Sequence, residues 1–201
     1  MCGFGAVIRL FTAIELPEDV RADLARLEGG LPGARWLPEE NLHLTLRFLG
    51  EVQEPAVEEI AEALWRIRAP GFPLRLKGVG KFGGESKRSP SRLVYAGVEH
   101  GAALTDLARR IEQALVGIGF PAETRKFHAH VTLARLKDTP APRIAQFIQD
   151  NSLYASREFE VCAFALFSSR QGNAASVYEA LQDFALLPKA PSPQGGGWPR
   201  P

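Results

Sequence analysis

One tetrapeptide occurs twice in this chain, and the repetition constrains it more than any other feature. His43-Leu44-Thr45-Leu46 lies within NLHLTLRFLGE, and His130-Val131-Thr132-Leu133 lies within FHAHVTLAR. Successive side chains of a β-strand point to opposite faces, so in each copy the imidazole and the hydroxyl share one face while the residues between them anchor the other. The chain has four histidines, His43, His100, His128 and His130, and two of them head the same tetrad. Two such strands facing one cleft supply two acid/base groups and two hydroxyl donors. The duplication also predicts a chain built from two similar halves.

Imidazole is suited to both taking and giving a proton, because its unperturbed pKa of about 6.5 lies close to working pH. Threonine hydroxyls donate to oxygens on which charge accumulates, and do so best when already held in place. The two copies are nearly symmetric, so the residues alone do not say which histidine is acid and which is base. Arg47 lies on the His43 face if the strand stays regular, which makes it a candidate for binding an anionic group. Phe48, Phe127 and Tyr95 are candidates for stacking on a base, with a core position as the alternative for each. A zinc site is the rival reading, since His128 and His130 are two apart and His43 would lie opposite. Against it, no Asp, Glu or Cys stands at ligand spacing nearby and the threonine repeat is left without a use. We therefore expect no metal and no cofactor, with His128 orienting the strand or lining the edge of the pocket.

A length of 201 residues with 45% hydrophobic content suits one sizeable core. The net charge of +1 argues against a protein that coats long polyanions, while a short RNA end or a nucleotide remains compatible. Only Cys2 and Cys162 are present, which disfavours a disulfide framework and fits a reducing cytoplasm. No apolar run approaches a membrane span, and the N-terminus lacks the basic leader of a secretory signal. A monomer is expected.

Read in order, residues 8–16 form a β-rich run that Pro17 closes, and a helix follows until Gly29-Gly30. The first His-x-Thr strand is expected to stop at Gly50. A helix over 55–68 carries Val57, Ile60, Ala61, Leu64 and Ile67 on one stripe. Residues 72–79 and 92–98 read as strands joined by the loop KFGGESKRSPS, whose Lys81, Lys87 and Arg88, with Arg92, are candidates to meet RNA phosphates, with a solvated hairpin as the alternative. A long helix over 102–118, a strand over 128–136, a short helix over 143–150 and a strand pair over 158–168 and 176–185 complete the pattern. Residues 1–7 are expected to be an extra leader, 8–187 one domain, and the proline- and glycine-rich 188–201 a disordered tail. Strand pairs separated by helices indicate an α+β fold.

Two copies of His-x-Thr-hydrophobic at this separation resemble the 2H phosphoesterase superfamily. The flanking RLFTAIELP, WLPEENLHLTLRFLGEV, SRLVYAG and FHAHVTLAR are similar to its RNA 2',3'-cyclic phosphodiesterase family, also called 2'-5' RNA ligases. The resemblance covers about residues 9–187; Ala129 departs from it, where the family often has proline. It implies a bilobed fold with pseudo-two-fold symmetry: two antiparallel sheets facing a central cleft, with helices outside. It also implies that His43 gives a proton to the leaving 3'-oxygen and that His130 activates water, leaving a 2'-phosphate. Thr45 and Thr132 would then hold the phosphate and Arg135 would bind it, with reverse joining to a 5'-hydroxyl possible in principle. The alternative is a non-catalytic protein that binds RNA ends or nucleotides in the same cleft.

Overall fold

The computed structural model describes residues 6–86, 89–99, 101–171 and 176–188. Ten strands and four α-helices alternate along them: β1 (Val7–Glu15), α1 (Glu18–Ala25), β2 (Ala34–Trp36), β3 (His43–Gln53), α2 (Ala56–Trp65), β4 (Phe72–Leu74), β5 (Leu76–Ser86), β6 (Ser89–Val98), α3 (Ala102–Gly117), β7 (His130–Leu136), α4 (Ala141–Asp150), β8 (Phe159–Val161), β9 (Ala163–Gln171) and β10 (Ser176–Ala185). Eight strands form one antiparallel sheet in the order β10-β9-β1-β3-β7-β6-β5, with β2 added beside β7, and β4 and β8 make a small separate pair.

The two expected halves are visible in that order. The first comprises β10, β9, β1 and β3, the second β7, β6, β5 and β2, and they join at a single registered pair, Leu44 with Val131. Those are the second residues of the two tetrads, so the halves meet where the repeat lies. Both side chains are fully buried. One face of the sheet packs on helices: Leu10, Ile14, Leu44, Val94, Ala96, Val131 and Ala134 share a core with Ile60 and Leu64 of α2 and Leu104, Leu107, Ile111 and Leu115 of α3. Burying each such Leu or Ile contributes on the order of 1.5–3 kcal/mol. The opposite face of the first half carries a smaller cluster of Phe11, Ala13, Ala165 and Phe167.

Several boundaries differ from expectation for physical reasons. β3 does not stop at Gly50 but runs on to Gln53, because Gly50 adopts φ 81°, a left-handed conformation that costs glycine little, beside an extra residue at Leu49. The segment expected as a loop after Val79 is mostly strand, since β5 and β6 pair from Leu76–Val98 out to Ser86–Ser89 with bulges absorbing the glycines. Lys87 and Arg88, expected at its tip, lie outside the described residues, as does His100. The runs at 72–79 and 158–168 each divide in two, and the outer pieces pair with each other as β4 and β8. β2 is an addition to the expected elements; three residues carry no periodicity, and only pairing with β7 makes them a strand.

Candidate active site

The Leu44–Val131 pair sends the neighbouring side chains of both strands to the face away from the helices. Continuing that antiparallel register brings His43 across from Thr132 and Thr45 across from His130. The four residues of the repeat thus face the same side of the sheet around that pair. The rings are close enough that a charge on His130 opposes protonation of His43.

Each imidazole is held the same way. Nδ1 of His43 donates to the Asn41 carbonyl at 2.8 Å, and Nδ1 of His130 donates to the His128 carbonyl at 2.7 Å, two residues upstream in both cases. A carbonyl only accepts, so the bond puts the proton on Nδ1 and leaves Nε2 as the reactive nitrogen. Nε2 of His43 lies 3.0 Å from the Thr45 hydroxyl. Asn41 is itself buried and its side-chain amide donates to the Ser176 carbonyl at 2.8 Å, tying the start of β10 to the turn that orients His43.

The aromatic surroundings differ. Phe11 stacks on His43 with centroids 4.9 Å apart, Tyr178 meets it edge-on at 5.2 Å, and Phe167 lies behind. His130 is met edge-on by Phe82 at 4.8 Å and Tyr95 at 5.4 Å, and exposed His128 also packs edge-on against Phe82. Burial pushes the His43 pKa down to about 4, opposed by the Asn41 carbonyl and reinforced by His130. Burial also lowers that of His130, opposed by the His128 carbonyl and reinforced by the His128 ring.

A β-bulge at the fourth residue of each tetrad sets the facing of the residues beyond it. In β3, Thr45 pairs with Ala13 and Arg47 with Thr12, so Leu46 is the extra residue; in β7, Thr132 pairs with Tyr95 and Ala134 with Val94, so Leu133 is. A bulge shifts the alternation by one, which moves the side chains beyond it to the other face until a second bulge, in β3 at Leu49, restores it. Arg47 is thereby turned away from His43. Its guanidinium bonds Glu112 of α3 and the carbonyls of Phe48 and Pro121, and only 13% of its side chain is exposed. Phe48 takes the face Arg47 would have had: it is 60% exposed and lies 5.8 Å from Phe11. By the same shift Arg135, which a regular strand would place opposite His130, pairs with Leu93 on the face of Tyr95, Thr132 and His130. The structure therefore brings His43, Thr45, His130, Thr132, Phe48, Arg135 and His128 to one face and separates Arg47 from them. Phe127 is half-buried against the core.

Sequence reasoning missed Phe11, Phe82, Phe167 and Tyr178, which reach the site from neighbouring strands. It also missed Arg35, which pairs with Arg135 across β2 and β7 and is exposed on the same face. The β-rich run around Phe11 was legible, but its register against His43 was not. Among the described residues no group of three or more His, Cys, Asp or Glu side chains is arranged to hold a metal ion, and no helix is long and apolar enough to cross a membrane.

A duplicated His-x-Thr strand, paired at its centre within an antiparallel α+β fold, defines a phosphoesterase of the 2H type. The family described as LigT like Phosphoesterase matches the chain twice, over residues 14–95 and 97–178, each stretch holding one tetrad, and the chain belongs to it. It is an enzyme of that family. A protein of Thermotoga maritima named RNA 2',3'-cyclic phosphodiesterase is 36% identical over 182 residues, 88% of this chain and 94% of that protein. The crystal structure of a Thermus thermophilus protein superposes with a TM-score of 0.72 at 31% identity, covering 88% of this chain and 97% of the other. Escherichia coli LigT complexed with 3'-AMP gives 0.68 at 29% identity, covering 90% and 99%.

Proposed function

We propose that the protein hydrolyses 2',3'-cyclic phosphate ends of RNA or nucleotides to 2'-phosphates, using its two histidines as an acid/base couple and no metal. The observation that carries this reading is the pair of imidazoles with Nδ1 tied to carbonyls two residues upstream, so that each Nε2 is directed by the backbone. The names of the relatives support the substrate class. In-line hydrolysis has water entering on one side of phosphorus and the 3'-oxygen leaving on the other. His130 takes the water proton on Nε2, His43 gives its Nε2 proton to the 3'-oxygen, and Thr45 and Thr132 donate to the non-bridging oxygens. Arg135 steadies the phosphate with its fork of donors, joined by Arg35; Phe48 stacks on the base, and His128 borders the pocket.

In the free protein burial keeps His43 neutral, whereas a proton donor must be charged. An anionic phosphodiester between the rings favours the imidazolium, and the Phe11 face against His43 does the same through its quadrupole. Substrate binding is therefore coupled to proton uptake at His43. With a 5'-hydroxyl in place of water, the same couple joins a cyclic end to it through a 2'-5' linkage. The protein is expected to work as a cytoplasmic monomer.

Incubation of the protein with a nucleoside 2',3'-cyclic phosphate in excess EDTA tests this. Release of the nucleoside 2'-phosphate is expected. Binding without turnover would make the protein a non-catalytic RNA-end or nucleotide binder, and activity lost to chelation and restored by zinc would replace the two-histidine mechanism.

A further inference from the structure

One edge of β7 pairs with β6 from His130 to Arg135; the other meets β3 at Val131 and then β2 from Ala134 to Leu136. β2 thus takes the place beside β7 that β3 vacates beyond His43, and it sets Arg35 directly across from Arg135 on the open face. Like charges directly opposite each other on paired strands repel. Arg9, Arg26 and Arg157, also exposed, each have a carboxylate within hydrogen-bond reach, whereas among the described residues neither Arg35 nor Arg135 has a partner. The strand pairing therefore holds two unneutralised guanidiniums side by side, an arrangement that bound anions stabilise.

The two ends of the paired tetrads differ. Beyond Thr45 and His130 lie Phe48 and an open pocket of about 250 Å³ lined in part by Tyr95, Gly97 and His128, which give a base rings and room. Beyond His43 and Thr132 lie Arg135, roughly 10 Å along β7 from Val131, and Arg35 next to it. A ribose has matching ends: C1', which bears the base, adjoins the carbon of the 2'-oxygen, and C4', which bears the 5' substituent, adjoins the carbon of the 3'-oxygen. In the hydrolysis proposed for this site the 3'-oxygen leaves toward His43, so the 5' substituent extends past His43 while the base turns to the Phe48 end. A nucleoside has only a hydroxyl there, but an RNA end has a phosphodiester. We propose that Arg35 binds that phosphodiester, on the 5' side of the terminal nucleotide, and that the site is thereby matched to RNA ends rather than to mononucleoside cyclic phosphates. The cyclic phosphate carries a single negative charge, which Arg135 meets. The upstream phosphodiester brings a second, and Arg35 passes to it from the place it shares with Arg135 when only a mononucleotide is bound. A planar fork of donors suits either phosphate. The proposal rests on the cyclic-phosphate reading and on its assignment of His43 to the leaving oxygen.

The test compares kcat/KM for cytidine 2',3'-cyclic phosphate, for a dinucleotide that ends in it, and for the same dinucleotide with an uncharged methylphosphonate as the link. The charged dinucleotide is expected to be preferred roughly tenfold over the mononucleotide, chiefly through KM, the worth of one solvent-accessible hydrogen bond between charged groups. The methylphosphonate should fall back to the mononucleotide's value. Arg35→Ala should erase the preference and Arg35→Lys should keep part of it, whereas Arg135→Ala should lower both natural substrates and leave their ratio. Equal kcat/KM for mononucleotide and dinucleotide would overturn the proposal. So would a preference that survives the methylphosphonate or Arg35→Ala, because the upstream base would then supply it. A folded protein that opens none of the three substrates would remove the parent reading, and this one with it.

Discussion

The two His-x-Thr strands carry the same four-residue chemistry in different settings. His43 is stacked on Phe11, backed by Phe167 and edged by Tyr178, with its Nε2 against Thr45. His130 touches Phe82 and Tyr95 only edge-on and borders an open pocket. Beyond the matching bulges, Phe48 corresponds to Arg135 and Arg47 to Ala134. A duplicated motif thus supplies paired reactive groups, while its neighbours make one half apolar and closed and the other open and cationic. In the proposed mechanism the two rings act on opposite sides of one phosphorus, and that difference suits them to different roles.

The largest expected effect comes from removing either ring. His43→Ala and His130→Ala should each lose at least about a hundredfold in kcat, and the double variant far less than the product, because groups that act as a unit are not additive. A folded His43→Ala protein with near-parental turnover would break the pairing. Thr45→Val and Thr132→Val should lose roughly ten- to a hundredfold, the cost of one donor to a charged oxygen.

The arginines sharpen the comparison. Arg135→Ala should raise KM or lower kcat/KM by about tenfold while leaving stability unchanged. Arg47→Ala should do the reverse: it strips Glu112 and two carbonyls of a partly buried partner, costing about 1–3 kcal/mol in urea denaturation with little change in KM. Kinetic loss at Arg47 without loss of stability would contradict the assignment of faces.

The smallest effect is in pH dependence. The value of His43 in the folded protein, about 4, lies below its ordinary 6.5, so between these pH values the unfolded chain carries a proton that the folded chain does not. Its contribution to stability is fully present above pH 6.5 and is lost as pH falls toward 4, amounting to on the order of 1–3 kcal/mol. His130 adds a loss of the same sign. Denaturation midpoints at about pH 7 and about pH 5 should differ accordingly, and His43→Gln should narrow the gap. The pH profile of kcat/KM, which reports the free enzyme, should be bell-shaped and centred below about 6.5, while that of kcat should shift upward once phosphate is bound. A kcat/KM optimum above about 7 would argue against both depressed values.

Much of the fold and the site is legible in the amino-acid sequence. The tetrads, the four helices, the α+β class and the repeat are readable because periodicity is local: Leu104, Leu107, Ile111 and Leu115 recur at helical spacing wherever the helix packs. Strand partnership is not readable in the same way. The split of the runs at 72–79 and 158–168, the existence of β2, and the zipping of the segment after Val79 into a hairpin each depend on a partner outside the run itself.

The amino-acid sequence by itself determined that two imidazoles and two hydroxyls lie on one face of two similar strands, since the alternation from His43 to Thr45 and from His130 to Thr132 is set within three residues. Only the tertiary structure decided what stands beside them. Leu46 and Leu133 are bulged because β1 and β6 pair around them, and one added residue reverses the facing of the side chains that directly follow it. That reversal sends Arg47 to Glu112 and brings Phe48 and Arg135 to the cleft. A side chain's face is inherited from register, and register is set by the neighbouring strand.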